Sequence, residues 1–203
     1  MLLWPRFSSW FCYLFISFFL FFTGCSKPVL NMPDSLPSIV KEYKNITLHA
    51  GVAGMQDSGI YLNKGDTYSI LATGSMDLCS RGNCSGRDVR PEHGNRLIMR
   101  VGKNPPYHTM FYGKNSYTSI AVDSGYLYLG YKQGKVDWYG EPLNHAMYRD
   151  DLGAFSVDIV VWAKEDWVQT VHFFDEMKEK DPENKAILDA LYDANTYGRL
   201  VLA

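Results

Sequence analysis

Alternating apolar and polar residues form short runs along most of the chain between Ile46 and Trp162. A period of two is typical of strands that bury one face. Gly, Asp and Asn separate the runs, as in the turn Lys64-Gly65-Asp66. Many short strands with frequent turns favour an antiparallel β-sandwich. The predicted strands are Ile46–Leu48, Ser58–Leu62, Thr67–Ala72, Arg96–Val101, Thr109–Tyr112, Ser119–Val122, Gly125–Tyr131 and Ala154–Trp162.

Helical spacing replaces this alternation after Trp162. Apolar residues then recur every three or four positions, which is the period of an amphipathic helix. The spacing predicts a helix that starts near Glu165 and carries its apolar stripe on Trp167, Val171, Phe174 and Met177.

A second helix is predicted directly after the first. Asp181 suits a helix cap, Pro182 suits the first helical position, and Tyr197-Gly198 suits the end. Two amphipathic helices need a surface on which to bury their stripes. The sandwich, the other helix or a partner protein would each provide one. The apolar stripe predicted for the second helix is Ile187, Leu188, Leu191 and Tyr192.

The N-terminal residues have the pattern of an export signal. Residues 10–22 are almost entirely apolar, and Arg6 is the only charge before them. This run is shorter than the roughly 20 residues that a membrane-spanning helix needs, and it fits the apolar core of a signal peptide. We therefore expect residues 1–24 to be a signal peptide and the rest of the chain to lie outside the cytoplasm.

The next residues predict the type of leader. Phe22-Thr23-Gly24-Cys25 resembles the lipobox of bacterial lipoproteins, in which the Cys thiol receives a diacylglyceryl group and becomes the first residue. Phe22 departs from the usual Leu. The resemblance implies lipidation at Cys25 and a membrane-anchored protein of the bacterial cell envelope, and Ser26 resembles the outer-membrane sorting pattern. An uncleaved membrane anchor and ordinary secretion are the alternatives.

Composition narrows the classes of function. The 203 residues leave one domain and a small appendage once the leader is removed. A net charge of −2 gives no basis for nucleic-acid binding. The sequence contains no Gly-x-Ser-x-Gly elbow, no phosphate loop and no His-x-x-x-His spacing, so no catalytic motif is found. The chain is therefore predicted not to be an enzyme.

Two cysteines remain in the mature chain besides Cys25. Cys79 and Cys84 enclose a short segment that contains Gly82. An oxidising compartment favours a disulfide between them. Metal binding is the competing interpretation, although no His or second Cys pair lies at zinc spacing.

Three stretches carry a family resemblance. Residues 58–74 read as a strand, a Gly-Asp turn and a strand ending in Ala-Thr-Gly; residues 95–102 read NRLIMRVG; residues 127–131 and 150–157 read LYLGY and DDLGAFSV. In this order they resemble the bacterial calcium-dependent galactophilic lectins, the PA-IL-like sugar-binding domain. The resemblance covers roughly Ile46 to Val161 and implies a small jelly-roll-like β-sandwich, with the two C-terminal helices outside it.

The resemblance also implies a calcium ion, Ca²⁺, held by loop oxygens and by two adjacent hydroxyls of a sugar. Asp150 and Asp151 match the paired Asn ligands of the family. The carbonyl of Leu78 falls near the family's ligating Tyr, and the Asp expected after the LYLGY strand falls at Lys132 or Gln133. A lysine there would repel a cation. Ordinary turn bonding by Asp150 and Asp151 is the alternative.

Other residues are candidates for substitute metal ligands or for contacts with the sugar. The long loop from Lys132 to Arg149 carries Asp137 and Glu141, which would substitute as metal ligands. The family's sugar-contacting stretch falls near Arg90-Pro91-Glu92-His93. The resemblance therefore implies sugar hydrogen bonds from this stretch, for which an ordinary exposed loop is the alternative. The implied sugar-binding residues are Arg90, Glu92, His93, Trp138 and Tyr139.

These observations predict a signal peptide at 1–24, a lipid-anchored, Pro-rich extended tether at 25–43, a β-sandwich at 44–163 and a helical appendage at 164–203. The predicted function is a non-catalytic carbohydrate-binding module, calcium-dependent and of galactose type, with a glycan as its partner. The alternative is an envelope interaction or structural lipoprotein that has lost calcium and sugar binding, and whose helices and long loop contact an envelope protein.

Overall fold

A computed structural model describes residues 27–78, 88–93, 97–105, 113–164 and 166–201, with residues 198–201 described by their backbone alone. Two α-helices, α1 (Trp167–Lys180) and α2 (Lys185–Val201), follow the last strand, and a short 3-10 helix, His145–Tyr148, precedes it. The strands are β1 (Val40–His49), β2 (Gln56–Leu62), β3 (Thr67–Asp77), β4 (Asp88–Val89), β5 (Leu97–Val101), β6 (Ser116–Ile120), β7 (Gly125–Tyr131) and β8 (Leu152–Trp162).

The strands form two antiparallel sheets. In the larger sheet β8 lies between β1 and β3, and β3 also pairs with β6 near its start and with β4 near its end. The smaller sheet has the order β2-β7-β5. Inward-facing side chains of both sheets form one core, because alternate residues of a strand point to the same face. The predicted β-sandwich with two C-terminal helices is confirmed.

Strand β8 is buried on both of its faces. Phe155, Val157 and Ile159 point into the sandwich core, whereas Val160 and Trp162 belong to a second apolar cluster. The helices cover this second cluster, which we call the helix-side cluster. The Trp162 ring lies 5.4 and 5.5 Å from two phenylalanine rings of α1. The molecule therefore has three layers, with the helices on the outer face of the larger sheet.

Helix α1 begins where the sequence predicted. Asp166 caps it, since Asp166 Oδ1 accepts a hydrogen bond from Gln169 N at 3.1 Å. Phe173, Phe174 and Met177 are buried against the sheet. The spacing of its apolar residues thus predicted both the helix and the face that it buries.

Helix α2 begins later than predicted, which corrects the interpretation of Asp181. Asp181 closes α1, because its N–H donates to Met177 O at 3.1 Å. Asn184 caps α2 instead, and its Oδ1 accepts from Ala186 N at 3.2 Å. The helix also continues through Gly198 to Val201. The stack of the Trp167 and Tyr197 rings, 5.4 Å apart, holds this last part of the helix against α1.

The buried face of α2 also differs from the predicted stripe. Leu188 is 38% exposed and Tyr192 is 63% exposed. Ile187 is buried, and small residues provide most of the remaining contact: Ala186, Ala190 and Ala194. Large aromatic side chains of the sheet and of α1 already fill the space, so α2 approaches most closely through its small residues.

The residues before β1 pack onto the domain. Val29 and Leu30 are buried in the helix-side cluster, and Leu30 N donates to Asp158 Oδ2. Strand β1 begins at Val40, six residues before the predicted strand at Ile46. The predicted extended segment is therefore held against the larger sheet over part of its length.

One predicted strand is shifted along the chain, and several other predicted features lie outside the described residues. The strand predicted at Ser119–Val122 is found at Ser116–Ile120. The leader, Cys25, Cys79, Cys84 and the strand predicted at Thr109–Tyr112 lie outside the described residues. Within the described ranges, no helix combines the length and the apolar character required to cross a membrane.

Candidate functional site

The predicted calcium residues meet where β3 and β7 end and β8 begins. Asp77, the last residue of β3, pairs with Leu152, the first residue of β8, so Leu78 and Asp151 follow and precede a paired position. The hydroxyl of Tyr131, at the end of β7, lies 2.5 Å from Asp151 Oδ2 and also contacts the Ala50 carbonyl oxygen. Three strand ends thus position one carboxylate.

Gln133 joins this cluster from the loop after β7. Its Nε2 donates to the Leu78 carbonyl oxygen at 3.3 Å. Its backbone is held by Tyr148, whose hydroxyl accepts from Gln133 N at 2.9 Å and lies 3.2 Å from Gln133 O. The Tyr148 ring packs edge-on against Tyr131 at 5.0 Å. Gln133, one of the two positions predicted for the family's Asp, therefore contacts Leu78.

Two buried oxygens of this cluster have no hydrogen-bond partner. They are Asp151 Oδ1 and Gln133 Oε1. Asp151 is only 5% exposed, and burial raises the pKa of its carboxyl group. The negative charges of Asp150 and Asp77 raise this pKa further, whereas the Tyr131 hydroxyl and the neighbouring Gln133 amide lower it. Within the described residues, the cluster thus brings oxygen acceptors and negative charge together around a buried carboxylate.

The chemistry of these donors fits Ca²⁺. Calcium takes six to eight oxygen ligands from carboxylates, amides, backbone carbonyls and water. Asp150, Asp151, Gln133 and the Leu78 carbonyl would supply such oxygens. Within the described part of the chain no three His, Cys, Asp or Glu side chains group as a metal site. The oxygen set here depends instead on an amide and a backbone carbonyl beside the aspartates.

The predicted substitute ligands have other partners. Asp137 Oδ1 accepts from Tyr139 N at 2.8 Å and from Glu141 N at 2.9 Å, which holds a turn. Glu141 Oε1 lies 3.4 Å from Met55 N, in the segment before β2. Both carboxylates thus order the long loop in which they lie.

The predicted sugar contacts are divided between two places. Arg90 pairs with Asp88 at 3.3 Å, and His93 Nδ1 accepts from Arg90 N at 3.2 Å. Glu92 Oε1 lies 3.7 Å from Lys185 Nζ of α2, so this carboxylate faces the helices. Trp138 and Tyr139 are exposed in the long loop, at 69% and 49%. Of the predicted sugar-binding residues, only Trp138 and Tyr139 lie in the loop that leads from Gln133 to Asp150.

Sequence reasoning missed several residues that build this site. Tyr131 and Tyr148 position Asp151 and Gln133, and Asp77 adds negative charge. The sequence offers a signal for Tyr131, which ends a predicted strand two residues before Gln133. Tyr148 has no such signal, because its role depends on a contact across the long loop.

Comparisons with known proteins add a fold-level likeness. No family model and no curated protein matches the sequence. Among solved structures, the N-terminal domain of EclA, a PllA-like lectin, is similar with 24% sequence identity and a TM-score of 0.44, over 58% of this chain and 94% of that one. The IMPa metallopeptidase from Pseudomonas aeruginosa is similar with 14% identity and a TM-score of 0.28, over 76% of this chain. The chain spans only 16% of that peptidase. Both TM-scores are low, and the chain's own strand pairing defines the sandwich.

Proposed function

We propose that this protein is a non-catalytic carbohydrate-binding module that uses Ca²⁺ at the cluster of Asp150, Asp151, Gln133 and Leu78. The observation that carries this proposal is the pair of buried, unpartnered oxygens, Asp151 Oδ1 and Gln133 Oε1. A buried acceptor without a donor costs about 1–3 kcal/mol. A bound cation would remove this cost and the repulsion among the neighbouring aspartates.

Calcium also provides a way to bind sugar. Calcium takes six to eight oxygens, whereas these four residues supply four when each carboxylate binds through one oxygen, so two adjacent sugar hydroxyls would help to complete the shell. Trp138 and Tyr139 would offer apolar ring faces to the sugar from the exposed loop. The residue resemblance to galactophilic lectins favours galactose-type sugars as ligands.

The test is the melting temperature of the full chain with millimolar calcium and with a chelator, in a detergent that carries no sugar headgroup. Calcium is expected to stabilise the fold by RT ln(1 + [L]/Kd), about 2.7 kcal/mol at a hundredfold excess over Kd. The double variant Asp150→Ala/Asp151→Ala should lose this increment. Its calcium-free stability should not fall, because the Tyr131 hydroxyl keeps the Ala50 carbonyl as an acceptor.

Asp137→Asn is the matched control. It removes a negative charge from the neighbouring loop but keeps an acceptor for the turn, so calcium should stabilise it like the unmutated chain. Titration with galactose should show binding with calcium and none with chelator. Coinciding melting curves with calcium and chelator for the unmutated chain would refute the calcium site.

An envelope interaction module is the second candidate function. The long loop and the start of β8 expose apolar side chains, among them Leu143 at 65% and Leu152 at 61%. Exposed apolar surface favours contact with another protein. Absence of both calcium and galactose binding, together with crosslinking from position 143 to an envelope protein, would favour this candidate.

We also propose that the chain is lipid-anchored through Cys25, on the strength of Thr23-Gly24-Cys25 after an apolar run. Cys25→Ser should abolish fatty-acid labelling and release the protein from the membrane fraction. Cys12→Ser is the control and should keep the label. Unchanged labelling of the Cys25 variant would exclude this anchor.

A further inference from the structure

A polar groove lies at the end of β7 opposite the cluster of Asp150, Asp151, Gln133 and Leu78, which we call the aspartate cluster. It has a volume of about 690 Å³, within the roughly 300–1,000 Å³ usual for ligand pockets. It adjoins the start of β7 at Gly125, whereas the aspartate cluster adjoins Tyr131 at the end of that strand. Tyr126 and Tyr131 are five positions apart along the strand, a distance of about 17 Å. The groove is lined by Arg100, Lys103, Asn104, Asp123, Tyr126 and Tyr128, among others.

Strand register brings the aromatic residues of this groove together. Tyr126 and Tyr128 are two residues apart on β7 and lie on the outer face of the smaller sheet. Tyr61 is the cross-strand partner of Tyr126, and their rings meet edge to face at 5.2 Å. Tyr61 and Tyr126 are 47% and 49% exposed. This face thus presents tyrosine rings with both an apolar surface and a hydroxyl group.

Two cations line the groove, and within the described residues neither has a carboxylate partner. The Arg100 guanidinium lies 4.2 Å from the centre of the Tyr128 ring, and its Nη1 donates to Gly102 O at 2.6 Å. Its buried Nε has no acceptor. Within the described residues, neither Arg100 nor Lys103 forms an ion pair. Asp123, the carboxylate among the described residues of the lining, accepts from Asn104 Nδ2 at 2.9 Å.

We propose that this groove binds an acidic saccharide, such as a uronic acid unit of a polysaccharide. The sugar carboxylate would pair with Arg100 and Lys103, since a charge-assisted hydrogen bond is stronger than a neutral one. The apolar face of the pyranose ring would lie on Tyr126. Asn104 and Asp123 would bind hydroxyl groups. A simple anion such as phosphate would use the two cations but would leave the tyrosine surface uncovered.

This site does not need calcium, which separates it from the aspartate cluster. Binding is therefore measured with chelator present, using the full chain in a detergent without a sugar headgroup. The probes are trigalacturonic acid and its methyl ester, which has the same ring and hydroxyl groups but no charge. We expect the acid to bind at least tenfold more tightly than the ester, and added salt to weaken its binding.

Variants locate the site. Lys103→Gln and Tyr126→Ala should each weaken binding of the acid at least fivefold, since both side chains lie at the groove. Lys180→Gln and Tyr192→Ala are the matched controls on the helices and should bind like the unmutated chain. Melting temperatures of all four variants distinguish a lost contact from a lost fold.

Several outcomes would overturn this proposal. They are equal binding of the acid and its ester, binding of neither, tight binding of inorganic phosphate that displaces the acid, and loss of binding in the Asp150→Ala/Asp151→Ala variant. The last result would assign the acid to the aspartate cluster. Binding of the acid that requires the groove residues and persists in the aspartate variant would support the proposal.

Discussion

Asp158 shows how one residue can tie distant segments together. Its side chain lies on the helix-facing side of β8 and is completely buried. It accepts hydrogen bonds from Leu30 N, from Asn45 Nδ2 at 2.5 Å and from Tyr43 Oη at 3.1 Å. Burial raises the pKa of Asp158, and these hydrogen bonds lower it in part. The carboxylate thus joins the N-terminal segment, β1 and β8.

Asp158→Ala is expected to destabilise the fold by about 3 kcal/mol. The change leaves the buried Leu30 N–H without its acceptor, which costs about 1–3 kcal/mol, and it also removes an acceptor from Tyr43 and from Asn45, although Asn45 keeps Ser156 Oγ at 3.0 Å. Chemical denaturation measures the effect, and hydrogen exchange should show faster exchange at Leu30. Asp175→Ala, on the exposed face of α1, should change stability by about 0.5 kcal/mol or less. Equal effects of the two changes would contradict this role for Asp158.

The raised pKa of Asp158 predicts a pH dependence. In the unfolded chain an Asp ionises near pH 3.9, about the usual value. Because the folded-state pKa lies above that value, the folded state retains the proton longer, and stability falls as pH rises from about 4 through the folded pKa. Asp158→Asn does not titrate and should lack this decline. The measurement is the unfolding free energy of the unmutated protein minus that of Asp158→Asn across pH. This difference should fall as pH rises, and a rise would contradict the prediction.

Cys79 and Cys84 are predicted to form a disulfide in the exported protein. They lie in the sequence between β3 and β4, two strands that pair with each other. Removing the bond should cost about 2 kcal/mol or less, because a short closed loop restricts the unfolded chain little. Alkylation without reductant measures the thiols. Labelling of both cysteines in the mature protein would show that the bond is absent.

At the scale of elements, substitutions in α2 test which face of this helix is buried. Sequence periodicity placed Ile187 and Leu188 together on the apolar stripe, yet Ile187 is 2% exposed and Leu188 is 38% exposed. Ile187→Ala should therefore cost about 3 kcal/mol through lost burial and a cavity. Leu188→Ala should cost about 1 kcal/mol or less. Comparable losses measured by denaturation would favour the original stripe.

The two helices were predictable to different degrees for a physical reason. In α1 the aromatic residues and Met177 are buried, with Val168 exposed, so the spacing of the larger apolar residues identifies the face. In α2 the contact depends on alanines, which fit against aromatic side chains supplied by other elements. Size and hydropathy along the chain do not reveal a contact in which the smaller residue fits better.

At the scale of the whole molecule, the helices and the sandwich should unfold together. Strand β8 contributes Ile159 to the sandwich core and Trp162 to the helix-side cluster, so one strand belongs to both. Far-ultraviolet and near-ultraviolet circular dichroism should therefore show one transition at the same denaturant concentration. A chain ending after Lys164 would expose Val160 and Trp162 and should lose this transition. A truncated chain that melts like the full one would contradict this coupling.

Sequence alone determined the local features of this protein. Alternation of apolar residues predicted the sandwich. The predicted and observed bounds of β7 are the same, Gly125–Tyr131, because this strand has a regular period of two between turn residues. Tertiary structure decided which segments contact one another. It buries both faces of β8, packs Val29 and Leu30 on the larger sheet, and brings Gln133 to Leu78. It also decided the groove beside Tyr126, which no motif marks. These features depend on contacts between residues far apart in the chain, and local periodicity carries no information on which distant surfaces meet.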